Sequence, residues 1–272
     1  MTQSELFADK GPDILQKIVE QTKEDLEKRK KKVAEVDFRG FELYQQKRRN
    51  FQKALRKKNE VRIIAEVKKA SPSKGVIRPD FHPLKIAESY SEAGAAALSV
   101  LTEARFFQGD VQYMADISRR FDLPVLRKDF IVDFYQIEEA RAHGADAILL
   151  IVGITSGTQL NELHHAATEA GLQCLVECYD EDDFNRVDFE IVSMLGVNNR
   201  DLKTFEVDVH RGISLLQKAP EKTIKISESG LSKGDDLKLL RDNGIDAALI
   251  GEYFMRQPHP GDALSRLLEE MG

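Results

Sequence analysis

The stretch Glu92-Ala-Gly94-Ala-Ala-Ala-Leu-Ser-Val-Leu101 decides the fold, because its pattern recurs along the chain. It stands again at Ala142-His-Gly144-Ala-Asp-Ala-Ile-Leu-Leu150, at Glu169-Ala-Gly171-Leu-Gln-Cys-Leu-Val176 and at Asn243-Gly244-Ile-Asp-Ala-Ala-Leu-Ile250. In each, a helix stops at a glycine, the residue that most readily turns left-handed after a last helical turn. A nearly continuous apolar run follows. Such a run reads as a strand buried on both faces, the mark of a parallel sheet covered by helices.

Working outward, the remaining apolar runs complete eight strands, at 62–68, 96–101, 125–128, 147–152, 173–178, 191–197, 224–227 and 247–250. Helical stretches separate them, at 83–93, 111–121, 135–142, 158–170, 180–187, 209–217, 235–242 and 262–270. Strict alternation predicts an α/β fold, a single-domain (β/α)8 TIM barrel over residues 61–272. An open doubly wound sheet is the alternative, but it would place a GxGxxG turn after the first strand, and none is there. Residues 1–60 form an N-terminal helical extension expected to pack on the barrel, with Ile14, Ile18, Thr22 and Leu26 on one helical face. The basic runs at 28–32 and 45–58 read as solvated helix faces.

The 272 residues suit one barrel of roughly 250. A net charge of −6 speaks against a nucleic-acid partner. No apolar run approaches the roughly 18 residues that cross a bilayer, and Met1–Lys10 is too polar for a secretory signal. Cys174 and Cys178 occupy alternate positions of one apolar run, with no CxxC or HxH cluster nearby. They read as small buried hydrophobes in a reducing, cytoplasmic setting. The absence of GxSxG, Walker and GxGxxG motifs disfavours serine hydrolases, P-loop nucleotidases and dinucleotide enzymes. His143 and the His164-His165 pair lie on helices without ligand partners and carry no catalytic expectation.

Barrel enzymes place their chemistry at the C-terminal ends of the strands. Those ends read Glu66-Val-Lys68, Lys128-Asp129, Glu177, Asn198-Asn-Arg200, Ser227-Glu-Ser-Gly230 and Gly251-Glu252. Alternation puts Glu66 and Lys68 on the inward face of Ile64, Lys128 with Leu126, and Glu177 with Leu175. Charges are rarely buried unpaired, so these lysines and glutamates form either structural ion pairs or an acid–base set; the second is favoured. Ser229-Gly230 and Gly251 let backbone N–H groups approach an anion where many barrels hold phosphate. Lys68 adds a point charge. The turn-rich loop 69–75 reads as a lid or a plain surface turn, with Ser71 able to donate to a substrate.

Taken in order, Ile63-Ile-Ala-Glu-Val-Lys68 with Ser71-Pro-Ser, Leu126-Arg-Lys-Asp-Phe-Ile-Val132, Leu175-Val-Glu177, Gly196-Val-Asn-Asn-Arg-Asp-Leu202, Ser227-Glu-Ser-Gly230 and Leu249-Ile-Gly-Glu252 resemble the strand-end motifs of indole-3-glycerol-phosphate synthases. The resemblance runs through the whole chain, extension included. It implies decarboxylating ring closure and dehydration of 1-(2-carboxyphenylamino)-1-deoxyribulose 5-phosphate, a step of tryptophan biosynthesis, with no metal and no cofactor. It also implies roles. Lys128 is the general acid toward the substrate ketone, and Glu177 serves the later proton transfers. Lys68 contacts the phosphate and is a candidate second acid, while Glu66 and Asn198 orient the substrate. Arg200 assists the anionic substrate and Ser71 lies near its carboxylate. Ser229, Gly230, Gly251 and Glu252 frame the phosphate.

Two stretches depart from the family pattern. The loop after strand two reads Phe106-Phe-Gln-Gly-Asp110, where a serine is expected after the glycine, and Glu252-Tyr-Phe-Met255 is bulkier than expected. Glu252 beside a phosphate must point away or be offset by Lys68. The expected partner is a small phosphorylated molecule, with no nucleic acid or membrane, and the protein is expected to be a monomer or weak homodimer. The nearest alternative, another phosphate-binding barrel such as phosphoribosylanthranilate isomerase, would want a cysteine at the end of strand one, where Glu66 and Lys68 stand. A non-catalytic barrel would be expected to have lost a catalytic residue, and none is lost.

Overall fold

In a computed structural model, which describes residues 14–201 and 204–272, eight parallel strands close into a barrel. They are β1 (Arg62–Val67), β2 (Ala97–Leu101), β3 (Val125–Lys128), β4 (Ala147–Ile151), β5 (Gln173–Cys178), β6 (Met194–Asn198), β7 (Ile224–Glu228) and β8 (Ala247–Ile250). Closure is made by β1, whose Ile64 registers with Ala97 of β2 while its Arg62 registers with Ala247 of β8. Gly94, Gly144, Gly171 and Gly244 all take positive φ, from 72° to 91°, so the repeated helix-stop is real. Inside the barrel Ile64, Leu126, Leu149, Leu175, Ile226 and Leu249 stack as an apolar column. Residues of opposite parity, such as Val67, Val100, Leu150, Val176 and Val197, bury against the surrounding helices.

Where loops leave the strands, side-chain caps set the helix starts. Asp110, Asp133, Ser156, Asp180 and Asp208 each accept a backbone N–H of the helix that follows. The Asp110 carboxylate accepts from the Gln112 N–H at 2.9 Å. Serine at that position would cap equally well, so this departure from the family pattern belongs to a helix start. Two expected boundaries shift. The sixth strand begins at Met194 and not at Ile191, and the helix expected over 180–187 is only Glu181–Phe184. After Phe184 come Asn185 and Asp188, weak helix formers, and Arg186 turns its guanidinium to the Thr155 carbonyl.

The extension wraps the barrel from mouth to base. Helix α1 (Ile14–Lys32) buries Ile18, Thr22 and Leu26, the face read from the sequence. Its first turns lie at the mouth. Farther along, Leu26, Phe38 and Tyr44 pack with Tyr135 of the helix after β3, and Arg29 and Lys30 pair with Glu139 and Asp133 of the same helix. A short helix, α2 (Phe51–Leu55), then closes the base. Phe51 and Leu55 are fully buried and join the apolar column. The Gln52 N–H donates to the Gln173 side chain at the start of β5.

The basic run at 45–58 is therefore not a solvated helix face. Arg49 pairs with buried Asp146 at 3.0 Å and donates to the Ser118 carbonyl, while Arg48 donates to the carbonyls of Ala145 and Leu43. These guanidiniums satisfy carbonyls left over at helix ends and loops, which otherwise lack partners. Phe51→Ala should cost about 3–5 kcal/mol by opening the base of the column. The denaturation midpoint of the purified variant checks this, and a shift below about 1 kcal/mol would count against the plug.

Candidate active site

All the strand-end residues singled out in the sequence line one cavity of about 360 Å³ at the C-terminal mouth: Glu66, Lys68, Ser71, Lys128, Glu177, Asn198, Arg200, Ser229, Gly230, Gly251 and Glu252. Alternation brings Glu66, Lys128, Glu177 and Asn198 there, since each stands two positions beyond an inward residue of its own strand, Ile64, Leu126, Leu175 or Gly196. Ser71 sits on a two-stranded ribbon, Ala70–Ser71 with Gly75–Val76, that rises from the end of β1. Arg78 ties the foot of this ribbon to the carbonyls of Met255, Gln257 and Pro258.

At the floor, the Lys128 Nζ lies 3.0 Å from Glu177 Oε2 and 3.5 Å from Glu228 Oε2. The Lys68 Nζ lies 2.6 Å from Glu66 Oε2. Burial alone would push the Lys128 ammonium down, but Glu177, Glu228 and Glu66 together raise it above the ordinary lysine value. The Glu228 carboxyl is raised too, but here burial works with its neighbour Glu177. Burial first, then the neighbouring Glu177 charge and a hydrogen bond with it, holds its carboxyl well above the usual carboxylate range despite Lys128. Glu228 is thus the carboxyl of the mouth that burial and the Glu177 charge push toward its protonated form.

Glu228 was not assigned a role from the sequence, although it stood in the quoted motif. The same alternation, Ile224-Lys-Ile226-Ser-Glu228, would have found it. Its place is made by a glycine: a Cβ on Gly196 would fall 2.2 Å from Glu228 Oε1. Gly251 does the same for Glu66, whose Oε2 a Cβ would meet at 2.1 Å.

Arg200 pairs with Glu252 at 3.1 Å, and Arg256 holds the other oxygen of Glu252 at 3.0 Å. The offset expected from Lys68 is thus supplied by two arginines, because Lys68 is engaged by Glu66. Asn198 Oδ1 accepts the Arg200 N–H at 3.0 Å, which steers the chain at the end of β6. Ser229 and Gly230 both have positive φ, 71° and 78°, so the chain turns sharply at the end of β7. A side chain at 230 would also strike Val207.

The opposite side of the cavity is apolar. Ile14, Ile18, Pro72, Phe107 and Phe130 line it, with the two phenylalanine rings 6.0 Å apart. These were missed as site residues in the sequence, because two come from the extension and the others from loops. Phe130 alone carried a signal, two positions beyond Lys128.

Several groups stay outside the site. His143 is half-buried at a helix end, its Nδ1 against the Glu139 carbonyl, and its partial burial lowers its proton affinity. Cys174 and Cys178 are free and buried, and burial pushes the Cys174 thiol up to about 12. Among the described residues no group of three or more His, Cys, Asp or Glu is arranged to hold a metal ion, and no helix is long and apolar enough to cross a membrane.

Fold and mouth together define a (β/α)8-barrel protein with a lysine–glutamate cluster at the floor of a pocket that is polar on one side and apolar on the other. The profile of indole-3-glycerol phosphate synthase matches residues 15–267. An indole-3-glycerol phosphate synthase of Salinibacter ruber is 48% identical over 258 residues, covering 94% of this chain and 96% of that one. One from Acetivibrio thermocellus is 50% identical over 207 residues, covering 76% and 80%. The chain belongs to the indole-3-glycerol phosphate synthase family. Among solved structures, a mutant tryptophan synthase α-subunit of Pyrococcus furiosus shares the fold, with a TM-score of 0.59 at 14% identity over 79% of this chain and 98% of that one.

Folding raises the Glu228 value, so the stability carried by its proton is complete below the ordinary carboxylate range. It is lost as pH rises through the raised folded value. Glu228→Gln has no proton to lose and should gain on the parent progressively as pH climbs from acidic to alkaline. Urea midpoints across a pH series read this directly; two curves that stay parallel would contradict the assignment.

Proposed function

We propose that the protein converts 1-(2-carboxyphenylamino)-1-deoxyribulose 5-phosphate to indole-3-glycerol phosphate, carbon dioxide and water, a carboxy-lyase reaction. The observation that carries this is the Lys128–Glu177 contact at 3.0 Å between a polar and an apolar flank of one cavity. The substrate has the same polarity, an aryl ring at one end and a phosphate at the other. Its ring fits the side of Phe107, Phe130 and Pro72. Its phosphate fits the side of Ser229, Gly230, Gly251 and Glu252, with Arg200 and Lys68 in reach of its negative charges.

Ring closure forms a bond between the carboxyl-bearing ring carbon and the ketone carbon. Negative charge then develops on the ketone oxygen. Lys128 is the proton donor there: its neighbours keep it charged, so it is always loaded, and it releases the proton only to an oxygen becoming strongly basic. Loss of carbon dioxide returns the electron pair to the ring. Dehydration follows, in which the new hydroxyl leaves as water with a proton from an acid while a base removes a proton from the five-membered ring. Glu177, in contact with Lys128, is that base, and Lys68 is the candidate second acid. Glu66 and Asn198 orient the substrate, and Ser71 approaches its carboxylate. This reading places the enzyme in tryptophan biosynthesis.

Lys128→Met should lower kcat by roughly 10²–10⁴-fold, the usual contribution of a positioned acid, while a reduced, non-cyclising substrate analogue still binds. Indole fluorescence in the presence of EDTA measures the first quantity and titration the second; near-normal turnover would remove Lys128 from the role. Glu177→Gln should impair turnover less completely and alter the pH–rate profile, and an unchanged profile would count against it.

A further inference from the structure

Glu103, at the end of β2, contributes nothing to the cavity surface, yet its carboxylate is buried. No cation pairs with it among the described residues. Instead Oε1 accepts the Arg105 N–H at 2.9 Å, and Oε2 accepts those of Phe106 and Phe107 at 2.7 and 3.0 Å. A buried carboxylate is costly unless its oxygens are filled, and here three backbone donors of one loop fill them. The Gly109 N–H then returns to the Glu103 carbonyl at 2.7 Å. Gly109 lies so close to β2 that a Cβ would fall 2.3 Å from the Leu101 carbonyl oxygen.

The loop so folded sends consecutive phenylalanines in different directions. Phe106 enters the apolar column of the barrel, and Phe107 faces the cavity beside Phe130. The Phe107 carbonyl also accepts the Ala70 N–H at 3.3 Å, at the foot of the ribbon that carries Ser71.

We infer that Glu103 is a positioning residue: it holds the loop after β2 so that Phe107 forms the wall on which the aryl ring of the substrate rests. This rests on the function proposed above. Glu103 acts through Phe107 and the loop, and its own oxygens are fully engaged there.

The experiment compares the full-length parent with Glu103→Ala, Glu103→Gln, Phe107→Ala and the double variant Glu103→Ala/Phe107→Ala. Each is titrated with an N-aryl aminodeoxy sugar phosphate that cannot cyclise and, separately, with inorganic phosphate; turnover is measured in parallel. Glu103→Ala should weaken the aryl ligand about tenfold, the equivalent of about 1.4 kcal/mol, with KM rising more than kcat falls. Phosphate affinity should not change. The double variant should be no weaker than Phe107→Ala, since the carboxylate has no other route to the ring. Glu103→Gln, equal in size with one acceptor oxygen for three donors, should show the same pattern at smaller amplitude and serves if the alanine variant fails to fold. Additive losses in the double variant, an equal loss of phosphate affinity, or unchanged aryl affinity in both Glu103 variants would overturn the inference. Failure of the parent to bind the aryl ligand would instead overturn the substrate reading, and the inference with it.

Discussion

The contact between Lys128 and Glu177, a cation and a carboxylate drawn together inside a barrel, is the interaction on which the rest of the structure depends. Removing charged groups from water is expensive, and their attraction repays it only when geometry and further partners are good. The mouth meets that demand with a second pair, Lys68 with Glu66, and with a third carboxyl, Glu228, 3.5 Å from Lys128 and raised well above the usual carboxylate range by burial. Two glycines, Gly196 in β6 and Gly251 just past β8, give Glu228 and Glu66 their room. The same closeness that balances the charges sets an ammonium against a carboxylate at the floor of the cavity.

A second charge network lies on the other face of β3 and has a different purpose. Arg127, fully buried, donates to Asp129 and Glu139, and Arg29 of the extension reaches the same oxygen of Glu139. Asp129 also accepts from Thr102 Oγ1 and from the Phe130 N–H. The residues on either side of Lys128 are thereby tied to β2, to the helix after β3 and to α1. Burial would push the Asp129 carboxyl up, but Arg127 and these hydrogen bonds hold it below its usual range. Lys128 thus projects from a strand pinned on its far side.

The extension joins these parts. Its first helix supplies Ile14 and Ile18 to the apolar wall of the cavity, its middle clasps the helix after β3, and its last helix plugs the base. A closed barrel of this kind leaves one end open for chemistry and needs the other sealed. Phe51 and Leu55 make the seal, and the arginines before them satisfy carbonyls around the rim.

Much of this was legible in the residues, for a physical reason. Parallel strands buried on both faces must be apolar, helices that return to them must stop, and period-two alternation sends every second side chain inward. From those rules follow the eight strands, the helix-ending glycines and the convergence of Lys68, Lys128, Glu66 and Glu177. Local rules failed where partners are distant in the chain. The arginines at 48 and 49 read as solvated because the Ala145 and Ser118 carbonyls that they reach lie about 70 to 100 residues away. Of the two arginines that offset Glu252, Arg256 is a neighbour one turn on, but Arg200 comes from the end of β6, and Phe107 meets Phe130 only through a loop folded on Glu103. The sequence by itself determined which residues face the barrel mouth, because alternation is a property of the single strand. Which charge meets which, and which carboxyl burial raises, was settled only by the fold, because burial and distance exist only once the barrel has closed.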